Sequence, residues 1–166
     1  MTRTGPFCCF AQGLGLVAID SAVEATFEDG PGFEHPLGRN HVALEAAMAR
    51  GQAVMLSFGQ GQVDYLVQVF LEPAPDTPPE NFAVAVGYTL VVDSGEIVIR
   101  DTFNLLSWDG QAAEAIRAVV PPGCYFVEML RIDDPNGLCI LHLHLNPSQP
   151  PSDAPEDALS GWVDVF

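Results

Sequence analysis

Apolar residues recur at every second position over long stretches of this chain. Val63, Tyr65, Val67 and Val69 fall on one side of an extended run that ends near Leu71, because successive side chains of a strand point to opposite faces. Phe82, Val84, Val86, Tyr88, Leu90 and Val92 alternate in the same way, and this longest run is expected at the centre of a sheet. Cys124 to Ile132 and Leu138 to Leu145 flank Asp133-Asp134-Pro135-Asn136-Gly137. The Asn-Gly pair supplies the positive φ angles of a tight turn, so these runs read as a hairpin. Val54 to Phe58 and Val63 to Leu71, on either side of Gly59-Gln60-Gly61, read as another.

The remaining segments are shorter. Leu16 to Ile19 and Val23 to Phe27 read as two brief strands separated by Asp20 and Ser21. Glu28 to Gly32 is a turn, and Pro36 and Gly38 keep the chain irregular as far as Asn40. There the period becomes helical. Asn40 is a suitable N-cap for a helix from His41 to Arg50, with Arg50 at its negative end and Gly51 as its stop. Glu72 to Asn81 holds four prolines and is expected as an exposed connection. Asp93-Ser94-Gly95 turns the chain into Glu96 to Arg100, an extended piece is expected through Phe103 and Leu105 toward Trp108, and Gln111 to Ala118 leans toward an extended end. The expected fold is mainly β, an antiparallel β-sandwich with one short helix. One domain spans residues 1–145, and an acidic, proline-rich tail over 146–166 docks at its apolar end, Trp162 to Phe166.

Charge adds a second constraint. Twenty-two carboxylates face six arginines and no lysine, for a formal net charge of −16. Nearly half the residues are apolar, enough for a core, so the negative charge decorates a folded surface rather than holding a chain unfolded. Such a surface repels nucleic acid and anionic membranes and attracts a basic protein face. No apolar run approaches the roughly 20 residues that cross a bilayer. A leader reading of Phe7 to Ile19 lacks a clean small-x-small site, and a cytoplasmic location is expected. Cys8 and Cys9 are adjacent, which strains a mutual disulfide, while Cys124 and Cys139 sit in strand-like runs where a thiol packs as a small hydrophobe.

Motifs for chemistry are sparse. His142 and His144 share one face of Leu141 to Leu145, as two ligands of a metal-dependent small-molecule enzyme or binder would. No third ligand stands at a usable spacing, so neither a metal nor any other cofactor is expected, and the two imidazoles read as a solvated sheet face. Ser57 lacks the glycine two residues earlier that a nucleophile elbow needs, and the chain has no phosphate-loop lysine. No catalytic residue is expected. The carboxylates that turns and strand ends would expose are Asp93, Glu96, Asp101, Asp109, Asp133 and Asp134, and these are the candidate partner-binding residues.

The order of pieces resembles the competence protein J family. The resemblance is carried by His41-Val42-Ala43 leading to Gly51 through Phe58, the Val63 to Leu71 strand, and Ala85-Val86-Gly87-Tyr88 followed by Ile97-Val98-Ile99. It continues through Val119-Val120-Pro121-Pro122-Gly123-Cys124-Tyr125 and Leu138 to Pro147, spanning residues 40–160. Members are small acidic proteins found beside a bacterial nuclease and acting as its inhibitor. The resemblance implies a non-enzymatic protein that binds a basic protein partner and inhibits a nuclease. Besides the metal-dependent alternative, a structural module that docks through its C-terminal tail also fits the residues.

Overall fold

The computed structural model describes residues 3–11, 15–27, 40–57, 63–77, 83–102, 105, 115–133, 138–147 and 162–164. Among the described residues, ten strands form two sheets. Sheet A runs β1 (Arg3–Ala11), β4 (Val63–Phe70), β9 (Leu138–Asn146), β8 (Gly123–Asp133) and β5 (Ala83–Val92). Sheet B runs β10 (Trp162–Asp164), β3 (Ala53–Ser57), β2 (Leu16–Asp20), β6 (Glu96–Asp101) and β7 (Ile116–Val119). The fold is a β-sandwich, with mixed rather than purely antiparallel sheets, since β4 pairs with β9 and β10 with β3 in parallel.

The period-two patterning builds the core between the sheets. Tyr65, Val67 and Val69 of β4 meet Leu141, Leu143 and Leu145 of β9, Val127 and Met129 of β8, and Leu90 and Val92 of β5. Sheet B closes the layer with Leu16, Ala18, Val54, Ile97 and Ile99. A second apolar layer lies on the outside of sheet B, where Val17, Ile19, Ala53, Met55 and Val98 pack against Leu44, Ala47 and Met48 of helix α2 (His41–Ala49). Strand β2 is buried on both faces, which is why Leu16 to Ile19 shows no alternation.

Helix α2 starts at Asn40 as expected, but the Asn40 side chain makes no cap hydrogen bond. It is buried and donates from Nδ2 to the Leu105 carbonyl at 3.0 Å. At the other end Gly51 adopts φ of 68°, and its carbonyl accepts from the Val91 N–H at 2.6 Å. That bond places the α2–β3 turn against the outer edge of β5.

Several expectations are corrected. Val23 to Phe27 is not a strand: Ser21–Glu24 forms a helical turn, α1, capped by Asp20, whose Oδ1 accepts from the Ala22 N–H at 2.9 Å. The first expected hairpin does not form. β3 belongs to sheet B and β4 to sheet A, so the chain changes sheets between them, and residues 58–62 lie outside the described set. β5 is an edge strand rather than a central one. Its strict period also breaks at a register shift, where Val86 stands opposite Glu128 and Tyr88 opposite Val127. Thr102 and Leu105 are helical where an extended piece was expected. Cys124 is exposed instead of packed, while Cys139 is buried.

The β8–β9 hairpin forms, with Ile132 opposite Ile140 and Asp133 opposite Cys139. β1 was not read from the sequence. It pairs with β4 through a register shift between Thr4 and Phe7, and Gly5 is required there because a Cβ would come within 2.9 Å of the Val67 carbonyl. Among the described residues no helix is long and apolar enough to cross a membrane.

Candidate protein-binding surface

The topology divides the expected carboxylates between two ends of the sandwich. The turn at Asp93 to Gly95 joins β5 to β6 at one end, where Val92 stands opposite Gly123. β8 then runs for eleven residues to Asp133, so at about 3.3 Å per residue the two ends lie roughly 30 Å apart. Asp93 and Glu96 sit at the first end. Asp101 and Asp133 end strands that run toward the second, and residue 134 follows there. The side chain of Asp133 and all of Asp109 and Asp134 lie outside the described set.

On sheet B part of the charge is matched internally. Glu24, only 5% exposed, accepts from Arg100 Nη1 at 2.9 Å, and Arg100 itself is 4% exposed. Arg117 reaches Glu24 at 3.5 Å and the half-buried Glu96 at 2.8 Å. Arg100 and Arg117 come from neighbouring strands, β6 and β7, while Glu24 comes from α1, so the cluster ties helix to sheet.

Asp20 is engaged at both oxygens. Its Oδ2 accepts from the backbone N–H groups of Asp93 and Ser94 at 2.8 and 2.9 Å, and the Ser94 hydroxyl is 2.9 Å away. Burial pushes the Asp20 pKa up, but the hydrogen bonds from Ser94, Asp93 and Ala22 outweigh it and hold the carboxyl below its ordinary value. Asp20 therefore works as a staple between α1 and the 93–95 turn.

At the second end Arg131 of β8 stands opposite Leu141, two residues before Asp133. Exposed Asp64 opens β4 opposite Leu138, while Asp133 closes β8 opposite Cys139. The two flank the start of β9, about 10 Å apart by strand spacing, with residue 134 next in the chain. Asp64 was missed because it reads as the polar half of an alternating strand. Asp101 was expected exposed and is 3% exposed. β6 pairs there with β2, Leu16 standing opposite Asp101, so a strand end in the middle of a sheet is not a surface position. Asp93 is exposed as expected.

The histidine pair lies on the outer face of sheet A. His144 is stacked on Phe70 with ring centroids 4.6 Å apart, and His142 is tilted against the same ring at 5.2 Å. The expected solvated face is corrected at His144, which is 4% exposed. The connection after β4 folds over this face, because Nδ1–H of His144 donates to the Glu72 carbonyl at 3.3 Å and Glu128 Oε2 accepts from the Ala74 N–H at 2.9 Å. Among the described residues no three His, Cys, Asp or Glu side chains are grouped to hold a metal. Tyr125 donates to the Pro121 carbonyl at 2.6 Å, fixing the turn before β8, and burial raises its pKa.

No family model matches this sequence, and no curated protein matches it. Among solved structures the chain is similar to the crocagin biosynthetic gene J protein, with 14% identity, a TM-score of 0.54, and coverage of 90% of this chain and 100% of that one. It is also similar to ComJ from Bacillus subtilis, an inhibitor of the DNA-degrading activity of NucA, with 9% identity, a TM-score of 0.45, and coverage of 89% and 98%. The likeness to the crocagin protein extends over nearly the whole sandwich and is one of fold.

Proposed function

We propose that this chain is a non-catalytic acidic protein that binds a basic protein partner through the β8–β9 hairpin end, and that the partner is a nuclease. The observation that carries this reading is the charge imbalance, −16 with no lysine, together with where the arginines go. Arg100 and Arg117 are paired with Glu24 of α1 and Glu96 of β6, and Arg131 lies on β8 two residues before Asp133. Asp64 and Asp133 flank the start of β9, and Asp134 extends the acidic end in sequence. A nuclease grips phosphate with cationic groups, and an acidic protein surface presents the same charge to that grip. The sequence resemblance to the competence protein J family supports the choice of a nuclease.

The test is binding across a salt series. The chain is immobilised in native extract at low ionic strength, the retained protein is identified, and its affinity for the chain is measured by titration calorimetry. The expected partner is basic, its affinity falls steeply with salt, and its activity on DNA stops when the complex forms. Affinity indifferent to salt, or failure to recover any basic partner, overturns the proposal.

A further inference from the structure

Strand β10 contributes three residues to the edge of sheet B. Trp162, Val163 and Asp164 stand opposite Met55, Leu56 and Ser57 and run parallel to them, while the other side of β3 is taken by β2. β10 is thus the element that covers the outer edge of β3. Three residues are few for this task. A typical strand has about five or six residues, and parallel pairing is slightly weaker per residue than antiparallel pairing. β10 starts at Trp162, after β9 ends at Asn146. Covalent attachment to the same chain raises the local concentration of β10 at this edge, so a short strand is seated that would bind poorly by itself.

Direction matters as well. Asp20, at the end of β2, donates its N–H to the Gln52 carbonyl just before β3 and holds the 93–95 turn. β3 therefore starts at that end and finishes at Ser57, toward the end that carries Asp64 and Asp133. A segment lying parallel to β3 continues past Ser57 toward those carboxylates. An uncovered strand edge is a ready template for another chain.

We propose that the outer edge of β3 is a strand-addition site, filled by the chain's own β10, that exchanges β10 for an extended segment of the basic partner. The segment pairs through about three residues, as β10 does, and carries basic residues immediately after them, where the acidic end receives their charge. This deepens the reading of an acidic protein-binding surface and rests on it for the identity of the occupant, whereas the exchange of β10 is measured without any partner.

Amide hydrogen exchange on the unaltered chain comes first. The β10 N–H that pairs with β3 is expected to exchange at least a hundredfold faster than those of Ala18 and Ile19 in β2, because β10 opens locally while β2 opens with the whole fold. Exchange of both strands at one common rate makes β10 a fixed part of the sheet and overturns the proposal.

Val163→Pro in the full chain then removes the central residue of β10 from pairing. Met55 to Ser57 should lose protection while Leu141 to Leu145 keep theirs, which shows the variant folded. A fluorescein-labelled peptide of residues 158–166 should bind this variant at least tenfold more tightly than it binds the unaltered chain. The same peptide carrying Val165→Lys and Phe166→Lys should bind more tightly still, and lose that advantage between about 0.02 and 0.3 M salt as the Debye length shrinks. Equal binding to variant and unaltered chain overturns the exchange. Equal affinity of the two peptides overturns the basic character of the occupant and leaves the acidic hairpin end to be judged by its own salt series.

Discussion

Ser94 meets Asp20 twice, with its backbone N–H and its hydroxyl both 2.9 Å from Oδ2, although the two residues are 74 positions apart in the chain. The bond joins the N-cap of α1 to the turn that carries the chain from sheet A to sheet B. Asp20→Ala removes the cap and strips two backbone N–H groups of their acceptor, and each loss is of order 1 kcal/mol or more. A destabilisation of about 2–3 kcal/mol is expected in urea denaturation.

The same contact sets a pH dependence. The folded pKa of Asp20 lies below its ordinary value, so its stabilising contribution is present above the unfolded value of about 3.9 and is lost as pH falls through the folded value. Protonation of the other carboxylates relieves self-repulsion of a chain at −16 and works the opposite way. The quantity to follow is therefore the stability difference between the unaltered chain and Asp20→Asn, which should shrink as pH is lowered from 5 toward 2. A constant difference over that range contradicts the assignment.

Glu24 and Arg100 form a pair that is almost completely buried. Removing Arg100 leaves buried Glu24 with only the longer 3.5 Å contact to Arg117, at a cost of up to about 3–5 kcal/mol. Arg100→Met should therefore lower stability by that order, and Glu24→Leu combined with Arg100→Met should recover most of it. Thermal unfolding of the single and double variants decides the matter, and a double variant no better than the single one refutes it.

What the sequence made legible was whatever depends on local period. Tyr65, Val67 and Val69 face the core as their alternation predicts, β8 and β9 pair antiparallel as expected, and Gly51 ends α2 with a positive φ. Choice of strand partner was not legible, because it is made by residues far away in the chain. The glycines after β3 suggested a hairpin, yet β3 is apolar on both faces, with Val54 in one layer and Ala53 and Met55 in the other. That double burial fits the helix-covered sheet B. β5 read as central because it is so apolar. Its edge position is tolerated where the Gly51 carbonyl takes the Val91 N–H, a contact no local pattern announces. The acidic site was half legible for the same reason: Asp93 is exposed at its turn, while Asp101 is covered at the end of an internal strand.

His144 and His142 differ in burial and should differ in effect. His144→Ala removes a buried ring stacked on Phe70 and the hydrogen bond to the Glu72 carbonyl, and a loss of about 2–3 kcal/mol is expected. His142→Ala, at a half-buried position, should cost about 1 kcal/mol or less. Elemental analysis of protein purified without an affinity tag should find no stoichiometric transition metal. One equivalent of zinc, iron or manganese that disappears in the double variant would restore the metal-dependent alternative.

Charge reversal separates the two ends of the sandwich. Asp133 closes β8 at the hairpin end with Asp134 next in the sequence, and Asp93 lies roughly 30 Å away by strand length, too far for one small basic patch to touch both. If the hairpin end meets the partner, Asp133→Lys with Asp134→Lys should slow association by about tenfold at low salt, with little change in the off-rate. At about 0.15 M salt Asp93→Lys should alter the on-rate by less than about twofold, because the Debye length there is only about 8 Å. Adding Asp64→Lys to the hairpin pair should slow association further, since it removes the carboxylate on the far side of β9. Surface binding kinetics against the recovered basic partner provide the readout. The opposite ranking, with Asp93→Lys the more damaging, would move the binding surface to the 93–96 turn and exclude the hairpin end.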